Sequence, residues 1–343
     1  MTRLVTLTML AAGSLAGCSG PATAEPEGAP APTSGAEQAT PEAPATPGYA
    51  LHEWGLVDVA AGGTVELAAG PGQPDAPLEV RKPVLYVRLD PGIDALTFSA
   101  AVSVPGGTIV EHWPAGDVAG GALSWPRVEA RACDGAPTRD LPEQRESRRN
   151  PSRACDTVDG YCEVADLPGY VADGSACLRV GEQEGTLLFY RAALPSTRLP
   201  LELSRAGDAI VARATSDHGV AGTLVRIGRD ASGLRIARVA APSAPGATAT
   251  LPAPTQALDA AREREGLVRE LTGLGLTAPE AEAFARAWSS ELFEPQPTRS
   301  LMRPSAGVVL YWMPREDVDR MAPLTLDPPP RELVRAILVR VEL

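Results

Sequence analysis

From Leu51 to about residue 252, apolar and polar residues alternate with period two, and turn residues interrupt them every eight to twelve positions. Successive side chains of a strand point to opposite faces, so such a stretch can bury one face of many short strands and little else. Thr97 to Val104, Thr108 to Trp113, Leu187 to Arg191 and Ala209 to Ala214 are clear cases. Two hairpins are explicit. Leu201-Glu202-Leu203 returns through Arg205 to Asp208 into Ile210-Val211, and Leu224-Val225-Arg226 returns through Asp230 to Gly233 into Leu234-Arg235-Ile236. Aromatic residues make up only 4% of the chain, so the core must be aliphatic.

Beyond Pro254 the period changes to 3.6. Ala257 to Thr272 reads as an amphipathic helix with Leu258, Leu267, Val268 and Leu271 on its apolar stripe. A second helix starts at Thr277, where Glu280 can reach back in a capping box, and runs to about Phe293. Val308 to Trp312 reads as a buried strand, Arg315 to Met321 as a short helix and Arg335 to Leu343 as an apolar terminal strand that must pair with another. Trp288 and Trp312 read as core of this part and not as stacking surfaces. The fold class is therefore α+β, mostly β: an antiparallel β-sandwich-like domain over residues 49–253, followed by an α+β C-terminal region over 254–343.

Residues 132–183 interrupt the strands with Pro, Arg, Asp and four cysteines, Cys133, Cys155, Cys162 and Cys177. An even number of cysteines in an exported chain implies two disulfides, and none of the gaps has the spacing of a four-thiolate zinc site. Three connectivities are open. The first choice pairs Cys133 with Cys177 at the base of the excursion and Cys155 with Cys162 at its tip.

Export is read from the other end. One positive charge at Arg3 precedes a largely apolar run from Leu4 to Ala16, too short to span a bilayer, and Leu15-Ala16-Gly17-Cys18 follows. These four residues resemble the lipobox of bacterial lipoproteins. The resemblance implies that residues 1–17 are a signal peptide and that Cys18 carries lipid. Ser19 after the cysteine resembles the default for sorting to the outer membrane of a Gram-negative bacterium. Residues 18–48, rich in Pro, Ala, Thr and Glu, contain no aliphatic side chain larger than alanine and cannot offset their ordering entropy. They read as a disordered tether spanning roughly 30 Å as a coil.

Further on, His52-Glu53-Trp54-Gly55, Pro83-Val84-Leu85-Tyr86, the Gly106 to Glu111 stretch ending in Trp113-Pro114, Leu188 to Arg191 and Arg340 to Leu343 are similar to a family of exported proteins from GC-rich Gram-negative bacteria. The resemblance covers most of residues 51–343. The family has no assigned activity, so what it implies is a shared architecture and no catalytic residue. Leu56-Val57-Asp58 stands where relatives carry Thr-Phe-Thr, and Glu111-His112-Trp113-Pro114 stands where they carry Glu-Trp-Tyr-Pro.

The net charge is −12, which disfavours nucleic acid and anionic headgroups as partners. The chain contains no His-Glu-x-x-His, Gly-x-Ser-x-Gly, Ser-x-x-Lys, Walker loop or dinucleotide-binding glycine triplet. Its three histidines are His52, His112 and His218. His52, Glu111 and His112, with Asp217-His218 as a third arm, are the candidate ligands for a divalent metal, the only cofactor the residues suggest. Alternation, however, puts His52 and Trp54 on one face and Glu53 on the other. Arg191 either clamps an anionic ligand or pairs with a carboxylate, and in so acidic a chain the pairing is favoured. Two functions follow. One is an envelope lipoprotein, held to the membrane by lipid on Cys18, that binds a protein or glycan without catalysis. The other is a metal-dependent or other hydrolase whose site is assembled from distant residues.

Overall fold

The computed structural model describes residues 48–59, 78–133, 167–194, 199–230, 233–293 and 307–343. The signal peptide, Cys18, the tether and the Cys155–Cys162 pairing lie outside the described residues. The chain builds β1 (Tyr49–Val59), β2 (Leu78–Leu89), β3 (Ala95–Ser103), β4 (Thr108–Trp113), β5 (Asp117–Ala119) and β6 (Ala122–Arg131). After a one-turn 3-10 helix (Leu167–Tyr170) come β7 (Cys177–Val180), β8 (Gln183–Gly185), β9 (Leu188–Leu194), β10 (Leu201–Ala206) and β11 (Ala209–Ala214). β12 (Thr223–Asp230), β13 (Gly233–Ala240), β14 (Thr248–Leu251) and β15 (Gln256–Ala257) precede α1 (Ala260–Gly273) and α2 (Ala278–Phe293). The chain closes with β16 (Val308–Trp312), α3 (Arg315–Met321), β17 (Leu324–Asp327) and β18 (Glu332–Glu342).

The architecture is mostly β. A nine-stranded sheet runs β15-β13-β12-β16-β18-β1-β2-β9-β4, beside a six-stranded sheet β17-β3-β6-β7-β8 and a three-stranded sheet β10-β11-β14. One face of the large sheet packs on the smaller sheets through Leu51, Leu85, Phe98, Val128, Leu203 and Val339. The other face buries Trp54, Tyr86, Leu310 and Leu338 under α1 and α2. Both predicted hairpins form, as β10–β11 and β12–β13. The terminal strand does pair: β18 lies between β16 and β1, antiparallel to the first and parallel to the second, with Glu53 opposite Arg335. Two strands of the stretch read as an α+β C-terminal region thus sit in the middle of the main sheet.

One local difference from the sequence reading has a physical cause. The first helix begins at Ala260 and not at Ala257, because the Asp259 side chain accepts hydrogen bonds from the backbone N–H groups of Ala261 and Arg262 and so caps the helix. Alternation holds along β1, and the register shift beside Gly55 lies in β2, where the step from Arg81 to Val84 opposes the shorter step from Trp54 to Leu56. A Cβ on Gly55 would stand 3.1 Å from the Ile337 side chain and 3.2 Å from the Pro83 backbone, so the close approach of β2 there suits a glycine. Cys133 is bonded to Cys177, as the first-choice connectivity has it. Their sequence separation of 44 corresponds to about 4 kcal/mol of lost unfolded-state entropy.

Candidate functional site

The side chains singled out in the sequence fall into three buried clusters, and none of them unites His52, Glu111 and His112. β2 and β9 lie between β1 and β4. β1 and β4 are therefore three strand spacings apart, about 14 Å across the sheet, and His52 and the Glu111-His112 pair also sit at different levels along the strands. His218 is exposed in the turn between β11 and β12.

On the helical face, His52 Nδ1 lies 2.7 Å from Glu280 Oε2, and the carboxylate also accepts from the Thr277 backbone N–H at 2.8 Å. The capping-box residue therefore also fastens α2 to β1. Burial alone would raise the Glu280 carboxyl, but the His52 hydrogen bond and charge and the Thr277 N–H hold it below the usual carboxylate range. Arg88 reaches to 3.6 Å of Glu280 Oε1. The Arg88 guanidinium against Glu280, the carboxylate bonded to His52, disfavours a cation there, so these residues do not fit a divalent metal. Beside them Trp54 Nε1 donates to the Tyr86 hydroxyl, which donates to the Tyr170 carbonyl.

On the inter-sheet face, Glu53 is fully buried and accepts from Arg335 Nε and, at 2.9 Å, from the Tyr190 hydroxyl. Arg335 also donates to Asp319 at 2.7 Å. Burial works against the guanidinium charge, yet the Glu53 carboxylate beside it raises its pKa overall. Burial, then the Glu53 charge, pushes the Tyr190 phenol well up.

The third cluster sits on the β4–β9 ladder. Arg191 Nε donates to Glu111 Oε2 at 3.0 Å with both side chains nearly fully buried, the favoured carboxylate pairing. His112 is buried opposite Tyr190. These residues are pinned inside the sheet, and what they can do chemically is hold strands and helices in place.

A different place is open to solvent. Val225, Leu310 and Leu338, from three adjacent strands of the large sheet, form the floor of a cleft of about 320 Å³, closed on one side by α1 and at one end by Phe293. That volume lies at the small end of the range of ligand sites, roughly 300–1,000 Å³. Glu263, Gly266 and Glu270 recur along α1 at helical spacing and face it. Glu263 is ion-paired to Arg238, and Glu270 accepts from the Trp312 indole N–H at 3.0 Å. Trp312, expected to be core, is half-buried at the cleft, whereas Trp54, Trp113, Trp125 and Trp288 are at most 1% exposed. Sequence reasoning missed this place. The one local signal was Gly266 in the middle of a helix, where glycine costs about 1 kcal/mol relative to alanine.

No family model matches the chain, and no curated protein matches it. Among solved structures it is similar to the yeast delta-COP-I mu-homology domain complexed with a Dsl1 WxWxV peptide, at 10% identity over 86% of this chain and 94% of that one. The TM-score of 0.25 is below the level of a shared fold.

Proposed function

We propose that the protein is a lipid-anchored module of the bacterial cell envelope that binds a ligand in the cleft beside α1 and does no chemistry on it. The observation that carries this reading is a separation of groups. His52, Glu53, Glu111, His112 and Arg191 are each at most 6% exposed, while the solvent-open cleft is lined by other residues, whose two carboxylates are already hydrogen-bonded. Catalysis needs an acid, base or nucleophile within reach of a substrate. A small ligand fits better than a protein face, because Val118 and Leu274 are the only large apolar side chains well exposed among the described residues.

The anchor is proposed from Leu15 to Cys18, with the outer membrane as destination. Replacing Cys18 with alanine should move the protein from the membrane fraction to the soluble envelope fraction; retention in the membrane would contradict lipid anchoring. Binding is tested separately, by adding fractions of an envelope extract to the purified chain and measuring acrylamide quenching of tryptophan fluorescence. Four of the five tryptophans are buried, so the quenchable signal belongs to Trp312. Some fraction should protect it. If none does, the binding reading fails.

A further inference from the structure

We infer that the ligand of this cleft is a saccharide of one or two rings, an inference that rests on the binding reading above and narrows it. The polar lining of the cleft is mixed: it holds two donor–acceptor couples, Arg238 with Glu263 and the Trp312 indole N–H with Glu270, beside Thr223, Gln256, Arg262 and Arg269. A simple anion would meet the Glu263 and Glu270 carboxylates and a simple cation the Arg238, Arg262 and Arg269 guanidiniums, so this lining of both signs favours a neutral polar ligand. A purely apolar ligand would strip water from two charged couples and replace none of their hydrogen bonds. A sugar hydroxyl donates and accepts at once, so vicinal hydroxyls can bridge a carboxylate and a guanidinium.

The remaining surface suits the other side of the same molecule. The floor is aliphatic at Val225, Leu310 and Leu338, and the half-exposed Trp312 ring gives a flat apolar face for the C–H face of a pyranose. Phe284 stands 5.9 Å from the Trp312 ring and fixes it from the protein side. Gly266 leaves the room: a Cβ on it would meet nothing nearer than the Arg269 guanidinium at 3.8 Å. A larger side chain there would extend into open space without disturbing the helix, and leucine is the better helix former.

The test uses maltotriose, cellotriose and chitotriose at millimolar concentration with the full chain. At least one should shield Trp312 from acrylamide and titrate calorimetrically. Gly266→Leu should fold, judged by an unchanged or higher unfolding midpoint, and lose that binding. Trp312→Ala should weaken it roughly tenfold, an aromatic contact of about 1–1.5 kcal/mol. If no trisaccharide shields Trp312 while a carbohydrate-free extract fraction does so in the wild type and not in Gly266→Leu, the saccharide inference is overturned and the binding reading survives. If neither the sugars nor any fraction shields it, both are overturned. Binding that persists unchanged in Gly266→Leu would place the ligand elsewhere and also overturn the inference.

Discussion

Replacing Arg335 with methionine is expected to lower the stability of the protein by about 3–5 kcal/mol, because it strands the fully buried Glu53 carboxylate with the Tyr190 hydroxyl as its remaining side-chain hydrogen-bond partner among the described residues. Such a loss is comparable to the whole stability of many domains, roughly 5–15 kcal/mol. The pair itself need not contribute that much. Its two charges gave up water to enter the core, so the cost appears when one partner is removed and the other stays. The double variant Glu53→Met with Arg335→Met should therefore recover much of the deficit of either single variant. Guanidinium unfolding of the four proteins closes the cycle. Single variants within about 1 kcal/mol of wild type would mean that the ion pair is not desolvated as described.

The second large effect is alkaline unfolding. Burial raises the phenols of Tyr49, Tyr86, Tyr190 and Tyr311 above their ordinary value, helped by Asp327 at Tyr49, Glu53 at Tyr190 and Asp317 at Tyr311. A raised folded pKa gives stability that is complete below the unfolded value, about 10, and lost as pH rises above it. Each phenol then costs roughly 1.4 kcal/mol per pH unit, so at about pH 11 the four together remove about 5–6 kcal/mol. Circular dichroism and phenolate absorbance should change together. Phenols that ionise one by one with the strands intact would contradict this.

How much of this was legible in the sequence depended on range. The β10–β11 and β12–β13 hairpins were readable because alternation and turn residues are local properties of the chain, and the Thr277–Glu280 reach-back was readable because the two lie three positions apart. The second role of Glu280 was not. Its partner His52 lies 228 positions away, and no local pattern records which helix end will sit over which strand. For the same reason the parallel pairing of β18 with β1 was hidden, although the apolarity of β18 announced that some partner existed. The expectation for Trp312 failed because an apolar five-residue run reads as buried throughout, whereas the depth of its last residue is set by α1, whose Gly266 leaves the space beside it open. The metal hypothesis required β1 and β4 to be neighbours, and strand order is a property of the assembled sheet.

The central claim is that the histidines and carboxylates which look chemical in the sequence are structural, leaving function to the cleft. Residues kept for chemistry are commonly neutral or costly for stability, so their replacement leaves a protein as stable or makes it more so. The most direct measurement is the equilibrium unfolding free energy of Glu280→Gln, a change that keeps shape and removes the charge facing His52 and Arg88. A loss of about 2–3 kcal/mol is predicted, the worth of a buried hydrogen bond to a charged group. Unchanged or increased stability would contradict the account and return His52, now with Glu280 as its partner, to the list of functional groups.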